Sequence, residues 1–142
     1  MQTNSVLTKF EKELQRNGLR NTAARRSIFM VLSESPHPLA IQEIASRTTD
    51  VHFVSVYRSI DALLKAGLIK QVPQGFKNRF ELSDTFKPHH HHATCEFCGS
   101  SWEINSVELE SLMKKLTIEV GLVPTKHHFE IDGVCANCQT EA

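Results

Sequence analysis

Two Cys-x-x-Cys pairs restrict what this chain can fold into more than any other feature. Cys95 and Cys98 form the first pair, Cys135 and Cys138 form the second, and the 142-residue chain has no other cysteine. Two such pairs separated by a longer segment are typical of a closed four-thiolate zinc site. Disulfides are the alternative, but the sequence shows no secretory signal, and cysteines this close are awkward to cross-link within a pair. We therefore expect one structural Zn²⁺.

Charge and histidine content divide the chain into two unlike halves. Residues 1–87 carry 13 Lys and Arg against 8 Asp and Glu, a net of +5, whereas residues 88–142 carry 3 against 8, a net of −5. Six of the eight histidines lie in the acidic half. The contrast predicts that the two halves have different functions, one basic and the other rich in metal-binding side chains. No apolar run approaches the roughly 20 residues that span a bilayer, so we expect a cytoplasmic protein that does not enter a membrane.

The first half reads as helices followed by a hairpin. Helices are expected over residues 5–16, over a segment capped by Thr22 that ends at residues 35–38, and over residues 41–47 and 55–66. The expected strands are residues 68–72 and 78–82, around a turn at residues 73–75. This order predicts a winged helix-turn-helix. Core positions are expected at Ile28, Phe29, Val31 and Leu32, and at Val56, Ile60, Leu63 and Leu64.

The second half reads as a small α/β domain. Strands are expected around residues 102–104 and over residues 127–133, with a helix over residues 106–120 between them. Its expected buried positions are Val107, Leu109, Leu112, Leu116 and Val120. A single helix on so few strands would leave an apolar face uncovered, which favours dimerisation. The predicted fold class is α+β, with a winged-helix domain at residues 1–84, a hinge at residues 85–88 and a dimerisation domain at residues 89–142.

Four motifs occur in an order that resembles the ferric uptake regulator (Fur) family from about Arg16 to Cys138. They are Gly18-Leu19-Arg20-x-Thr22-x-x-Arg25, Ser55-Val56-Tyr57-Arg58, Phe80-Glu81-Leu82, and the run from His89 through His92 to Cys95 and Cys98. Each motif alone is weak evidence for the resemblance, but the four in this order are strong evidence. The resemblance implies a homodimeric transcriptional repressor of metal-uptake genes, which binds inverted-repeat DNA operators when metal is bound. A tetramer stays an open alternative.

The four consecutive histidines can serve two sites. In an extended strand, alternate side chains point to opposite sides. His90 and His92 would then face one metal site, while His89 and His91 face another. Further ligands must come from distant parts of the chain.

The family resemblance implies which residues those are. The inter-domain regulatory site is expected to use His37, Glu81, His90, His92 and Glu103, although the loop that carries His37 is one residue longer than the common pattern. The second site is expected to use His89, His91, Glu110 and His127. Many relatives carry Asp where His91 stands, so this site is richer in nitrogen, which suits zinc. DNA contacts are expected from Arg20, Arg25, Ser55, Tyr57 and Arg58, with a core position as the alternative for Tyr57.

The sensed metal and two other function classes stay open at this point. Fe²⁺ and Zn²⁺ both accept histidine and carboxylate ligands, and Mn²⁺ is a further option. A peroxide sensor of this family would be expected to carry Asp at the positions of Glu81 and Glu103, so we rank it lower. A zinc hydrolase is disfavoured, because this sequence has no His-Glu-x-x-His helix and a hydrolase would have no use for a winged helix. A metal-storage or metal-chaperone protein is the other alternative, and it should bind DNA weakly with or without metal.

Overall fold

The computed structural model describes residues 2–74 and 77–140, and the chain divides into two compact units, Met1–Pro88 and His89–Ala142. None of the described helices is long and apolar enough to cross a membrane. Phe86 of the predicted hinge packs on the aromatic core of the first unit. The hinge at residues 85–88 stays a prediction. Because Phe86 belongs to the core of the first unit, a backbone bend in this segment would have to occur without moving Phe86.

The first unit is a winged helix, as the sequence predicts. Its elements are α1 (Gln2–Arg16), α2 (Ala23–Glu34), β1 (Leu39–Ala40), α3 (Ile41–Arg47), α4 (Phe53–Lys65), β2 (Ile69–Gln74) and β3 (Lys77–Leu82). After α1 the chain turns at Gly18, whose φ of +65° is accessible to glycine at little cost. Thr22 caps α2 by accepting a hydrogen bond from the backbone N–H of Arg25. The predicted turn at residues 73–75 lies partly outside the described residues, because Gly75 is not among them.

The three strands of this unit form an antiparallel sheet in the order β1-β3-β2. The two-residue strand β1 was not expected from the sequence, since two residues are too few to show a period. It pairs Leu39 with Phe80 and Ala40 with Arg79. The Arg79 guanidinium also bonds Glu43 of α3 at 2.8 Å, so the wing is attached to β1 by main-chain bonds and to α3 by a side-chain bond.

One apolar core holds the helices and the wing together. Phe10 stacks on Phe29 with ring centroids 4.1 Å apart, and Phe86 meets both rings edge-on. The other buried members come from every helix and from β1, β2 and β3: Leu14, Ile28, Leu32, Leu39, Ile44, Val56, Ile60, Leu63, Leu68, Ile69, Phe80 and Leu82. Val31 and Leu64, two of the predicted core positions, are only half-buried against it.

The second unit has a three-stranded sheet and two helices. Its elements are β4 (His91–Cys95), β5 (Ser101–Ile104), α5 (Val107–Glu119), β6 (Glu130–Gly133) and α6 (Ala136–Gln139). The central strand β4 runs antiparallel to β5 and parallel to β6. Ser106 caps α5 by accepting from the backbone N–H of Leu109. The last strand begins at Glu130, three residues later than predicted, because residues 127–129 are not paired.

The predicted burial of α5 is wrong for the single chain. No residue of this helix is buried, Val107 is 78% exposed, and Val120 just beyond it is 76% exposed. Leu112 and Leu116 are exposed as well, and Leu109 is half-buried. The physical reason is that the second unit supplies too little structure to cover the face: Cys95 is the only buried hydrophobic residue that its described part contributes.

Replacing Phe29 by Ala should lower the free energy of unfolding of the first unit by about 3–5 kcal/mol, because it empties the centre of the aromatic cluster. Urea unfolding followed by circular dichroism measures this. Phe53→Ala is the matched control, since Phe53 lies on the exposed face of α4, and it should change stability by less than about 1 kcal/mol. Equal losses in both variants would contradict the assigned core.

Candidate functional site

The four cysteines come together in the second unit. One ligand atom from each of Cys95, Cys98, Cys135 and Cys138 lies within 4.8 Å of the others. The first pair sits in a tight turn after β4, where the backbone N–H of Gly99 bonds the carbonyl of Cys95 and Gly99 has a φ of +73°. The second pair brackets the start of α6, with Cys135 at its N-cap. Both pairs are therefore placed by local turns.

The surroundings of the thiols favour thiolate at Cys95 and Cys98 and oppose it at Cys138. The pKa of Cys95 is lowered to about 6, chiefly because the backbone N–H of Cys135 donates to its sulfur, with a second contribution from the backbone of Cys98. The hydrogen bond with Cys135 is the main cause that raises the pKa of Cys138 to about 12. Without a cation the four thiols cannot all ionise, and some must keep their protons. A divalent metal ion could replace those protons and stabilise the thiolates.

A second cluster gathers three imidazoles around one carboxylate. Glu110 on α5 lies 2.7 Å from Nε2 of His91, 3.1 Å from Nε2 of His127 and 3.3 Å from Nε2 of His89. The Nε2 atoms of His89 and His127 are only 2.8 Å apart. The hydrogen bond from His91 lowers the pKa of Glu110, and His127 adds to this effect against the opposing effect of burial. Three ring nitrogens and an ionised carboxylate form a donor set that fits Zn²⁺ or Fe²⁺.

The other two histidines of the run face the opposite side of β4. The rings of His90 and His92 have centroids 4.8 Å apart, and Nε2 of His90 lies 3.8 Å from a carboxylate oxygen of Glu103. Side-chain alternation along the run therefore separates its four imidazoles as expected from the pleat.

Glu130 also belongs to this face, and the sequence reasoning missed it. Its carboxylate lies 3.2 Å from Nδ1 of His92, which it pairs with across the parallel strands. The alternating pattern of residues 127–133 indicated a strand but gave no register, so it could not show which residue would lie beside His92. A carboxylate on one ring nitrogen orients the other nitrogen of a metal-binding histidine.

His37 and Glu81 lie in the first unit. Both line a cleft there together with Phe29, Leu82 and Phe86. His37 is exposed in the loop before β1, and its carbonyl accepts a hydrogen bond from the Ser35 hydroxyl. Glu81 is buried on β3, where the Lys70 ammonium lies 3.3 Å from its carboxylate.

The residues expected to contact DNA lie on the exposed face of α4, in the turn before α2 and in the first turn of α2. Ser55, Tyr57 and Arg58 are exposed on α4. At 39% exposure Tyr57 is not a core aromatic, and its ring meets that of Phe53 edge-on at 4.5 Å. Phe53 and Val54 are also exposed on this helix and were missed, because the helix was expected to begin at Ser55.

The two arginines near α2 differ in their surroundings. Arg20 is exposed, whereas Arg25 is half-buried and donates to the carbonyl of Arg20 at 2.6 Å. Arg25 therefore holds the turn that presents Arg20.

Comparisons with known proteins agree with this architecture. The chain is 28% identical to the ferric uptake regulation protein of Campylobacter jejuni, over 96% of this chain and 90% of that protein. It is 27% identical to the peroxide-responsive repressor PerR of Staphylococcus aureus, over 89% and 86% of the two chains. The solved ferric uptake regulator Fur of Helicobacter pylori, described as having three functional metal binding sites, superposes with a TM-score of 0.79 at 26% identity, covering 96% of this chain and 93% of that one.

These relatives are transcription regulators, and neither the hydrolase nor the metal-storage alternative finds support among them. The sequence model of the ferric uptake regulator family matches residues 16–132, which is most of the chain and includes α2 to β3 and the histidine run. The chain belongs to the ferric uptake regulator family.

Proposed function

We propose that this protein represses metal-uptake genes by binding inverted-repeat operators as a homodimer when a regulatory metal is bound. The observation that carries the proposal is the exposed face of α4, with Tyr57 and Arg58, in a chain that also gathers histidine and carboxylate clusters. Phe53 and Val54 extend that face with apolar surface suited to thymine methyl groups. Arg58 supplies a guanidinium for a guanine edge or a phosphate.

The four-cysteine cluster is proposed to hold a structural Zn²⁺. Four thiolates leave no open coordination position, which suits a structural rather than a catalytic ion. The ion would join the turn after β4 to the start of α6, in a unit whose described residues bury almost no apolar side chains. Metal binding and folding of this unit should therefore be tightly linked.

The regulatory metal is proposed to be held by His90, His92 and Glu103 together with Glu81 and His37, as the family resemblance implies. Ligands from both units would restrict how the winged helix can be oriented, and so favour the spacing at which two winged helices reach successive major grooves. The metal would bind that arrangement more tightly than the alternatives. Activation is therefore a shift of the conformational equilibrium towards the DNA-binding arrangement.

The cluster of His89, His91, Glu110 and His127 is proposed to be a second metal site. All four ligands come from the second unit, and His127 lies in the segment between α5 and β6. A metal there would attach this segment and α5 to β4, so its main effect should be on stability.

The homodimer is supported by the apolar surface of the second unit. Trp102 and Ile131 are exposed on one face of its sheet, and Leu112, Leu116 and Ile118 are exposed on α5. Exposed apolar surface on this scale is typical of an interface between subunits. A tetramer is the alternative assembly, which sedimentation analysis distinguishes.

The sensed metal is proposed to be Fe²⁺ or Zn²⁺, with Mn²⁺ as a further candidate. The identities to a ferric uptake regulation protein and to a peroxide-responsive repressor differ by only one percentage point, so they do not separate these roles. The carboxylates of Glu81 and Glu103 favour a metal sensor. The deciding experiment is anaerobic selection from a pool of inverted-repeat duplexes, titrated separately with each metal. DNA binding that is strong without any regulatory metal would exclude the proposal.

Cys98→Ser should remove the structural zinc and expose apolar surface in the second unit, because three thiolates cannot close the site. Elemental analysis should show the loss of one tightly bound zinc ion per chain, and the variant should bind more of a hydrophobic dye. His127→Ala is the control and should keep this zinc. A folded Cys98→Ser dimer with unchanged zinc content would contradict the assignment.

His90→Ala should abolish metal-activated DNA binding while the dimer stays folded, because the variant lacks a ligand of the regulatory site. His127→Ala should lower the melting temperature at saturating metal with a smaller loss of activation. Operator affinity and melting temperature of both variants test this. The reverse pattern would exchange the roles proposed for the two sites.

Arg58→Ala should weaken operator binding by about 1–3 kcal/mol and relax preference at one base pair if the guanidinium reads a guanine. A uniform weakening with a shallower salt dependence would indicate a phosphate contact instead. Fluorescence anisotropy at several salt concentrations measures both. Lys115→Ala, an exposed charge on α5, is the control, and an Arg58→Ala variant that behaves like it would remove Arg58 from the interface.

A further inference from the structure

A lysine faces the buried carboxylate of Glu81 across the wing. Lys70 on β2 and Glu81 on β3 are directly paired residues of the antiparallel hairpin. The Lys70 Nζ lies 3.3 Å from Oε1 of Glu81, whose side chain is only 6% exposed, while that of Lys70 is 27% exposed. The ammonium is thus held against a carboxylate that has little access to water, where a charge interaction is screened less than at the surface.

Asp84 holds the same ammonium from the other side. Lys70 donates to Oδ1 of Asp84 at 2.9 Å, so one cation bridges two carboxylates. The Lys70 ammonium would stay near Glu81 through Asp84 if its contact with Glu81 were lost.

We propose that Lys70 is an affinity-setting residue, which competes with the regulatory metal for Glu81 and so raises the metal concentration at which the regulatory site fills. This inference rests on the proposed role of Glu81 as a metal ligand. A metal that binds Glu81 either displaces the ammonium, which costs the ion pair, or lies beside it, which costs repulsion between like charges. Both effects weaken metal binding, so the sign of the contribution does not depend on which of them dominates.

The opposite role would be that of a positioning residue. If Lys70 only held the Glu81 carboxylate in the orientation that the metal needs, its removal would loosen the site and weaken metal binding. The two roles therefore predict opposite changes in affinity for the same substitution, which makes the proposal testable with one variant.

The test is the affinity of the full-length dimer for Mn²⁺ and Zn²⁺, measured by competition with a chromophoric chelator. All variants carry His127→Ala, so that the second site does not contribute to the titration. Lys70→Gln should tighten binding about 3- to 30-fold, the range expected for losing an ion pair that is partly shielded from water. Lys70→Arg keeps the charge and should retain the weaker affinity.

Lys65→Gln is the matched control, because Lys65 is also paired with a carboxylate, that of Asp61, but on the exposed surface of α4. It should leave metal affinity unchanged. Unchanged or weaker binding by Lys70→Gln would overturn the proposal, provided that urea unfolding shows the variant to be folded. If it is not folded, Lys70→Met, which keeps the length of the side chain, decides the question by the same criterion.

Glu81→Gln separates failure of this inference from failure of the proposed site. If Glu81→Gln loses metal but Lys70→Gln does not gain affinity, only the role of Lys70 is wrong. If Glu81→Gln binds metal as well as the parent protein, Glu81 is not a ligand, and both the regulatory site as proposed and the role of Lys70 fall.

Discussion

The organisation of the second unit depends on the alternation of side chains along β4 and the two residues before it. His89 and His91 face Glu110, whereas His90 and His92 face Glu103 and Glu130. Cys95, at the end of the same strand, belongs to the four-cysteine cluster. One strand thus contributes to three groups of metal-type ligands because the pleat sends successive side chains to opposite faces. A shift of the strand by one residue would exchange the two histidine faces and disrupt both.

The two units meet the requirement for stability in different ways. The first buries a continuous apolar core around Phe10 and Phe29, in which α4 takes part through Val56, Ile60 and Leu63. The second places histidines, a thiol and a threonine at its buried positions, and it leaves Trp102 and the apolar side chains of α5 exposed. Buried polar groups contribute stability only when they are satisfied, so the proposed metal ions and partner subunit would stabilise this unit more than the first. Under the proposed function, the acidic half would respond to metal while the basic half supplies the DNA-binding surface.

Charge is arranged on a finer scale than the division into halves. Lys70 places a cation against Glu81 in the first unit, and three imidazoles surround Glu110 in the second. Both carboxylates have positive or protonatable partners at the positions that a metal would take. Filling such a site exchanges one partner for another, so the metal concentration at which it fills depends on how strongly the protein's own groups hold the carboxylate.

The sequence by itself determined the features that follow from local geometry. The spacing of Cys95 and Cys98 predicted one half of a thiolate site, Thr22 marked a helix start, and the histidine run predicted two faces, since each depends on only a few neighbouring residues. The family resemblance, not the local pattern, joined Glu110 and His127 to that run. Only the tertiary structure decided that Glu130 lies beside His92, that Lys70 lies against Glu81, and that α5 stays uncovered. The physical reason is that strand register and the supply of packing surface depend on residues far apart in sequence, and a local period carries no information about either.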